Sequence, residues 1–148
     1  MNIGDDLSDA TLRRIADSFG RQGLMGLLGA ELALVKAGLV TIRLPFRPDL
    51  TQQHGYFHAG GTAAIADSAG GYAGHTLFPE GTSVLTVEFK LNLINPARGD
   101  WLEAVGRVIK PGRTLTVCQL DVWGIAPDRR VHVATGMQTL IQVADAIA

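Results

Sequence analysis

Leu12, Ile15, Ala16 and Phe19 recur at helical spacing, with Arg13, Arg14 and Asp17 between them. This pattern predicts an amphipathic helix near the start of the chain, with Ser8 or Asp9 as its N-cap. Gly20 and Gly23 end it. Two short apolar runs follow, Ala30–Val35 and Leu39–Leu44, joined by Lys36-Ala37-Gly38. Val40, Ile42 and Leu44 alternate with Thr41 and Arg43, as a half-buried strand requires, and a glycine in the joint suits a hairpin. Pro45 and Pro48 stop the regular pattern.

From Ala59 to about His75 the chain is dense in alanine and glycine and holds no proline, which predicts a helix. Gly60, Gly61, Gly70, Gly71 and Gly74 would each weaken an exposed helix by up to ~1 kcal/mol relative to alanine. Close packing of a bare helix backbone against a sheet is the expected compensation. Beyond Pro79 and Gly81 the remainder reads as strands. Leu85, Val87, Phe89, Leu91 and Leu93 are expected on one face, and Thr86, Glu88, Lys90 and Asn92 on the other. Strands Trp101–Ile109, Thr114–Trp123 and Val131–Ile141 follow, separated by the turn sequences Lys110-Pro111-Gly112-Arg113 and Ala126-Pro127-Asp128-Arg129. Tight turns imply mostly antiparallel pairing. The central helix is the one long apolar element available to cover the sheet, so the fold class is α+β, a curved sheet around one helix.

Composition narrows the function. The 148 residues suit one domain, and an apolar fraction of 47% supports a real core. A net charge of −1 argues against a nucleic-acid binder. No apolar stretch nears the ~18 residues of a membrane span, and the acidic start lacks the basic region of a secretory signal, so a cytoplasmic location without membrane contact is expected. Charged residues make up 18%, against about 25% in an average soluble domain, which points to surface buried between copies of the chain. Cys118 is the one cysteine, so neither an intrachain disulfide nor a cysteine-built metal site can form. It sits in a strand pattern that reads as a packed, inert thiol. His54, His75 and His132 show no metal spacing, and no metal is expected.

The stretch Gln52-Gln53-His54-Gly55-Tyr56-Phe57-His58-Ala59-Gly60-Gly61 leads a polar loop into a helix start. The first amides of a helix have no intrahelical acceptor and carry the positive end of its dipole. Asp67 lies about two turns further, a lone carboxylate among Ala63, Ala64, Ile65, Ala66, Ala69 and Gly70. An acid inside an apolar helix needs a partner or a task. Free amides could bind a developing oxyanion, and a carboxylate could act as base or nucleophile on the same carbonyl. Taken singly, the glycine pair reads as a turn and the aspartate as a solvated or capping residue. Their joint occurrence points to acyl-transfer or hydrolytic chemistry, with no substrate named.

The run from Gln52 to Asp67, the strand Leu85–Leu93 and its ending Ile94-Asn95-Pro96-Ala97 resemble the hotdog-fold acyl-CoA thioesterases of the phenylacetate-pathway (PaaI-like) group. The resemblance covers the chain from about Gly38 onward. The family pattern is a histidine, two small residues and an acid nine positions after the histidine, matched by His58, Ala59-Gly60 and Asp67. Ala59 departs from the common glycine, but the role there belongs to a backbone amide.

The resemblance implies one hotdog domain over 1–148, with an N-terminal helix and connection in 1–27 and the core in 28–148. Asp67 would be general base or nucleophile, and the Ala59 amide would polarise the thioester carbonyl. Gln52 would place the carbonyl or the water, and Thr86 matches a Ser/Thr position of some relatives. His58 stays open between a site hydrogen bond and a structural one. Gly60, Lys110, Gly112 and Arg113 are candidates for contact with the substrate or its coenzyme A portion. Coenzyme A enters as part of the acyl-CoA substrate, and no separate cofactor is implied. In this family acid and oxyanion amide come from different subunits, so the expected unit is a homodimer, further assembled to a tetramer. A hotdog-fold enoyl-CoA hydratase or dehydratase and a non-catalytic acyl-CoA binding module are the competing readings.

Overall fold

The computed structural model describes residues 1–145; the last three residues of the expected core, 146–148, lie outside the described residues. Helix α1 spans Asp9–Gly20, and Ser8 caps it by accepting from the Thr11 amide at 3.2 Å. Its Ile15 is fully buried. The Arg14 guanidinium donates to the carbonyls of His75, Phe78 and Pro79, each at 3.2 Å, which ties α1 to the chain leaving the central helix.

A second short helix, α2, spans Gly23–Leu28, where the sequence pattern suggests only a break. It is six residues long with two glycines and no side-chain N-cap, too short for a periodic signal. Burial of Met25 holds it in place. Gly29, at φ 73°, closes it in the left-handed region. There Arg47 donates to the carbonyls of Leu27 and Leu28 at 3.1 and 3.2 Å.

Strands β1 (Glu31–Lys36) and β2 (Leu39–Pro45) form the expected hairpin through Ala37 and Gly38. Helix α3 spans Ala59–His75 as predicted. Strands β3 (Thr82–Leu93), β4 (Trp101–Lys110), β5 (Leu115–Ala126) and β6 (Arg129–Ala144) complete one sheet of order β1-β2-β4-β5-β6-β3, every pairing antiparallel. The chain leaves β2 near one edge and re-enters at the other edge as β3. Helix α3 makes that crossing over the sheet face, and the inward residues Ile42, Leu44, Leu102, Ala104, Leu120, Val122 and Leu140 are fully buried in the core it shares.

The glycine expectation holds in part. A Cβ at Gly70 would lie 1.9 Å from the Gln138 side-chain oxygen, and one at Gly74 2.4 Å from Leu140. The crossing of backbone on backbone is supplied from the other side: a Cβ at Gly106 of β4 would lie 2.3 Å from the backbone of Ala69 and Gly70. Gly71, by contrast, faces open space, Gly61 has ordinary contact with Leu44, and Gly60 meets only the ring of His58.

Strand β3 corrects a second expectation. Thr86 pairs with Leu140, but the next pair is Glu88 with Thr139, so Val87 is the extra residue of a bulge. Directly opposed residues share a face. Thr86 therefore lies on the helix face with buried Leu140, and Phe89, Leu91 and Leu93 return to that face beyond the bulge. Leu85 lies on the outer face. Strict alternation would have sent Thr86 outward. β3 is also an unpaired sheet edge, with Leu85, Val87, Phe89 and Leu93 exposed.

Replacing Gly106 by Ala drives a methyl into the α3 backbone and is expected to cost about 3 kcal/mol. Gly26→Ala in α2, where a Cβ meets nothing, is expected to stabilise by about 0.5 kcal/mol. Urea denaturation of the two variants checks both.

Candidate functional site

The loop before α3 is a closed clip. Thr51 bridges Phe57, the Gln52 amide donates to the Tyr56 carbonyl at 2.9 Å, and the Gly55 amide donates to the Gln52 carbonyl at 3.0 Å. The Gln52 side-chain oxygen accepts from the His54 amide. Buried Phe57 anchors the clip, packed edge-to-face on Phe46.

His58 is the N-cap of α3. Its Nδ1 accepts from the Gly60 amide at 2.7 Å, which makes Nδ1 the unprotonated ring nitrogen. The Gly61 and Thr62 amides donate to the His58 carbonyl at 3.0 and 3.2 Å. Among the described residues the Ala59 amide alone of the first four has no acceptor. It lies at the positive end of a 17-residue helix, beside a cavity of about 380 Å³ lined by Gln52, Tyr56, Ala59, Thr62 and Asn95. Arg98 stacks over the Tyr56 ring at 4.4 Å at this mouth.

Asp67 opens onto a different cavity, of about 470 Å³, between α3, the start of β3 and the N-terminal helices. Its Oδ1 accepts from Thr86 Oγ1 at 2.7 Å and from Gln138 Nε2 at 2.6 Å. Gln138 Nε2 also reaches the Asp67 carbonyl at 3.0 Å and Thr86 Oγ1 at 3.2 Å. Oδ2 has no partner among the described residues. One carboxylate oxygen is thus fixed by two donors, and the other is free to take a proton or attack carbon.

Sequence reasoning missed Gln138. It is 1% exposed, on β6, two residues before Leu140 on the same inward face. A polar residue in an inward strand position was the available signal. The same side chain explains Gly70, because any Cβ there would strike its amide oxygen.

A single chain does not assemble the whole expected set. Gln52 and Ala59 line one cavity, Asp67 and Thr86 the other. Eight helical steps, about 12 Å, separate Ala59 from Asp67. The Gly60 amide is consumed by His58. Lys110, Gly112 and Arg113 are exposed around the β4–β5 turn and line neither cavity. Cys118 is buried as expected, and burial pushes its thiol up to about 12. No group of three His, Cys, Asp or Glu among the described residues could hold a metal.

The geometry shows a cleft with a buttressed acid and a free helix-start amide, and comparison with known proteins gives the family and the fold. Residues 54–127 match the model of the thioesterase superfamily. A Halobacterium salinarum protein named "Putative esterase" is 31% identical over 105 residues, covering 68% of this chain and 69% of that one. A thioesterase family protein from Silicibacter pomeroyi superposes with a TM-score of 0.88 at 40% identity, over 90% of this chain and 98% of that one. The PaaI protein of the E. coli phenylacetic acid degradation operon superposes with a TM-score of 0.81 at 17% identity, over 94% and 97% of the two chains. The chain belongs to the thioesterase superfamily, and its fold is the hotdog of the PaaI-like thioesterases.

His75, in the last turn of α3, lines the Asp67 cavity. Burial lowers its pKa from 6.5, and the nearby Arg14 lowers it further, against opposing contributions from the Thr82 bond and Asp145. A depressed folded-state pKa leaves stability intact above the unfolded value, and stability falls as pH drops through 6.5 towards the folded pKa. Thermal unfolding from pH 8 to pH 5 is expected to show this loss, and His75→Gln to lessen it.

Proposed function

We propose that this protein hydrolyses acyl-CoA thioesters to free acid and coenzyme A, acting as a homo-oligomer. The observation that carries the reading is Asp67, with one oxygen held by Thr86 and Gln138 and the other free in a cavity large enough for an aryl or medium-length acyl group. The Ala59 amide, free at its helix start, donates to the carbonyl oxygen as negative charge develops there.

Because these two groups line separate cavities of one chain, the working site joins the Ala59 mouth of one subunit to the Asp67 cavity of its partner. The unpaired edge of β3, twelve residues long with four exposed apolar side chains, supports pairing with a second copy. Acting as base, Asp67 takes a proton from water as the water oxygen bonds to the carbonyl carbon. Collapse then breaks the carbon–sulfur bond, and the thiolate leaves with that proton. As nucleophile, the Asp67 oxygen bonds to the carbonyl carbon, the carbon–sulfur bond breaks and the thiolate leaves. Water then opens the resulting anhydride, returning the Asp67 carboxylate and releasing the acid, and the proton freed ends on the thiolate. Gln52 orients water or carbonyl from the clip. His58 shapes the helix start through its cap, and Gly60 gives the substrate close access to it. Lys110, Gly112 and Arg113, exposed around one turn, meet the coenzyme A phosphates. Water is the only co-reactant, so no cofactor takes part.

Asp67→Asn keeps the size of the side chain and removes the base. Thiol release from a panel of acyl-CoAs is expected to fall by about 10²–10⁴. Unimpaired release by the folded variant would sink the reading, and water addition to an enoyl-CoA without thiol release would favour a hydratase. Gln138→Leu frees Asp67 Oδ1 of one donor and is expected to lower kcat by about 10-fold with little change in KM. Steady-state kinetics at constant pH measures both.

A further inference from the structure

Thr62 brings an unpaired hydroxyl to the Ala59 mouth. It follows Ala59 by three positions on α3, one turn along the same helix face. It lines the cavity of about 380 Å³ beside the Ala59 amide. The residue is 1% exposed, and its Oγ1 has no hydrogen-bond partner among the described residues. A threonine inside a helix ordinarily returns its hydroxyl bond to the carbonyl three or four residues back. Four residues back is His58, whose carbonyl already accepts the Gly61 and Thr62 amides at 3.0 and 3.2 Å. A carbonyl oxygen has two lone pairs, so that acceptor is used up.

A buried hydroxyl without a partner lowers stability, and native proteins keep few of them. One that lines a ligand cavity is satisfied when the ligand brings an acceptor. The helix start is short of donors for such a ligand. His58 Nδ1 consumes the Gly60 amide and the His58 carbonyl takes the next two, which leaves Ala59 as the single backbone donor. A developing oxyanion accepts more than one hydrogen bond, and donors fixed in place before the reaction stabilise it most. Threonine divides between two χ1 wells in a helix, so its hydroxyl can turn to a ligand without moving the backbone.

We propose that Thr62 Oγ1 is a side-chain donor to the thioester carbonyl oxygen, acting beside the Ala59 amide and bonding more strongly as negative charge develops there. The proposal rests on the reading that acyl-CoA is cleaved at this mouth. In that reading Asp67 and its water approach from the partner subunit, so a group on the Ala59 turn meets the carbonyl oxygen. The hydroxyl donates a hydrogen bond and keeps its proton throughout.

Thr62→Val keeps the shape and removes the donor, whereas Thr62→Ser keeps the donor. With benzoyl-CoA and hexanoyl-CoA, full-length Thr62→Val is expected to lose about 10-fold to 10²-fold in kcat with little change in KM. Thr62→Ser is expected to stay within about three-fold of the parent. Urea denaturation is expected to find Thr62→Val at least as stable as the parent, because the unpaired hydroxyl is gone. An unchanged kcat in folded Thr62→Val overturns the proposal. So does an equal loss in Thr62→Ser, which marks packing and not a donor. A second readout sees the bond itself. In Asp67→Asn, the infrared carbonyl stretch of bound acyl-CoA, isotope-labelled at the thioester, is expected below that of the free ester. Adding Thr62→Val is expected to move it back towards the free value. An unmoved stretch overturns the proposal, since a hydroxyl that only packs or only holds water leaves the carbonyl untouched. Absence of turnover with every acyl-CoA overturns the hydrolysis reading alone. The stretch in the parent protein and in Thr62→Val then still judges Thr62, and failure of both esters to bind rejects its role as well.

Discussion

The backbone of α3 lies directly against the backbone of strand β4. At Gly106 the sheet presents no side chain, and the Ala69–Gly70 peptide occupies the space a Cβ would take. A helix brought this near the sheet buries a continuous core with small residues of its own, and Ile65, Ala66, Ala69 and Ala73 all lie within it. The helix axis is then set by backbone contact, which leaves little freedom to slide or rotate. Every group that α3 presents to the site inherits that position.

Asp67 depends on it most directly. Gln138 reaches under the helix to the Asp67 carboxylate and carbonyl because Gly70 leaves room for its amide. The bulge at Val87 then turns Thr86 to the same carboxylate oxygen. Bulges beside sites commonly re-aim one side chain, and here the re-aimed residue is the second donor to the acid. The N-terminal helices close the remaining side. Arg14 ties α1 to three carbonyls at the end of α3, and Gln22 meets Tyr72 and Ser68 over the cavity. Acid, buttress and cavity wall are all referred to one helix.

The amphipathic first helix, the β1–β2 hairpin, the glycine-rich helix and the four later strands were legible from periodicity, and Ser8 from its capping chemistry. Helix α2 was not, because six residues are too few to show a helical period and two of them are glycines; burial of Met25, packing of Leu28 and the Arg47 bonds at its end hold it. Within the site, the helix start at His58-Ala59 and the lone acid Asp67 stood out in one segment, and the meaning of their spacing came from the family resemblance. Gln138 was not. It lies 71 positions from Asp67, and its identity as partner follows from the pairing of β6 with β3 and the crossing of α3.

The sequence by itself determined which residues can carry charge, cap a helix or leave a backbone bare, because those properties belong to a residue and its near neighbours. It determined the helix start whose first amide stays free. Tertiary structure alone decided that Asp67 and Ala59 open onto different cavities, that Thr86 faces the helix and that Gln22 faces the Asp67 cavity. Those facts depend on strand register, one bulged residue and the packing of distant elements. A one-residue slip in a strand reverses every side chain it carries, and no local pattern records that choice.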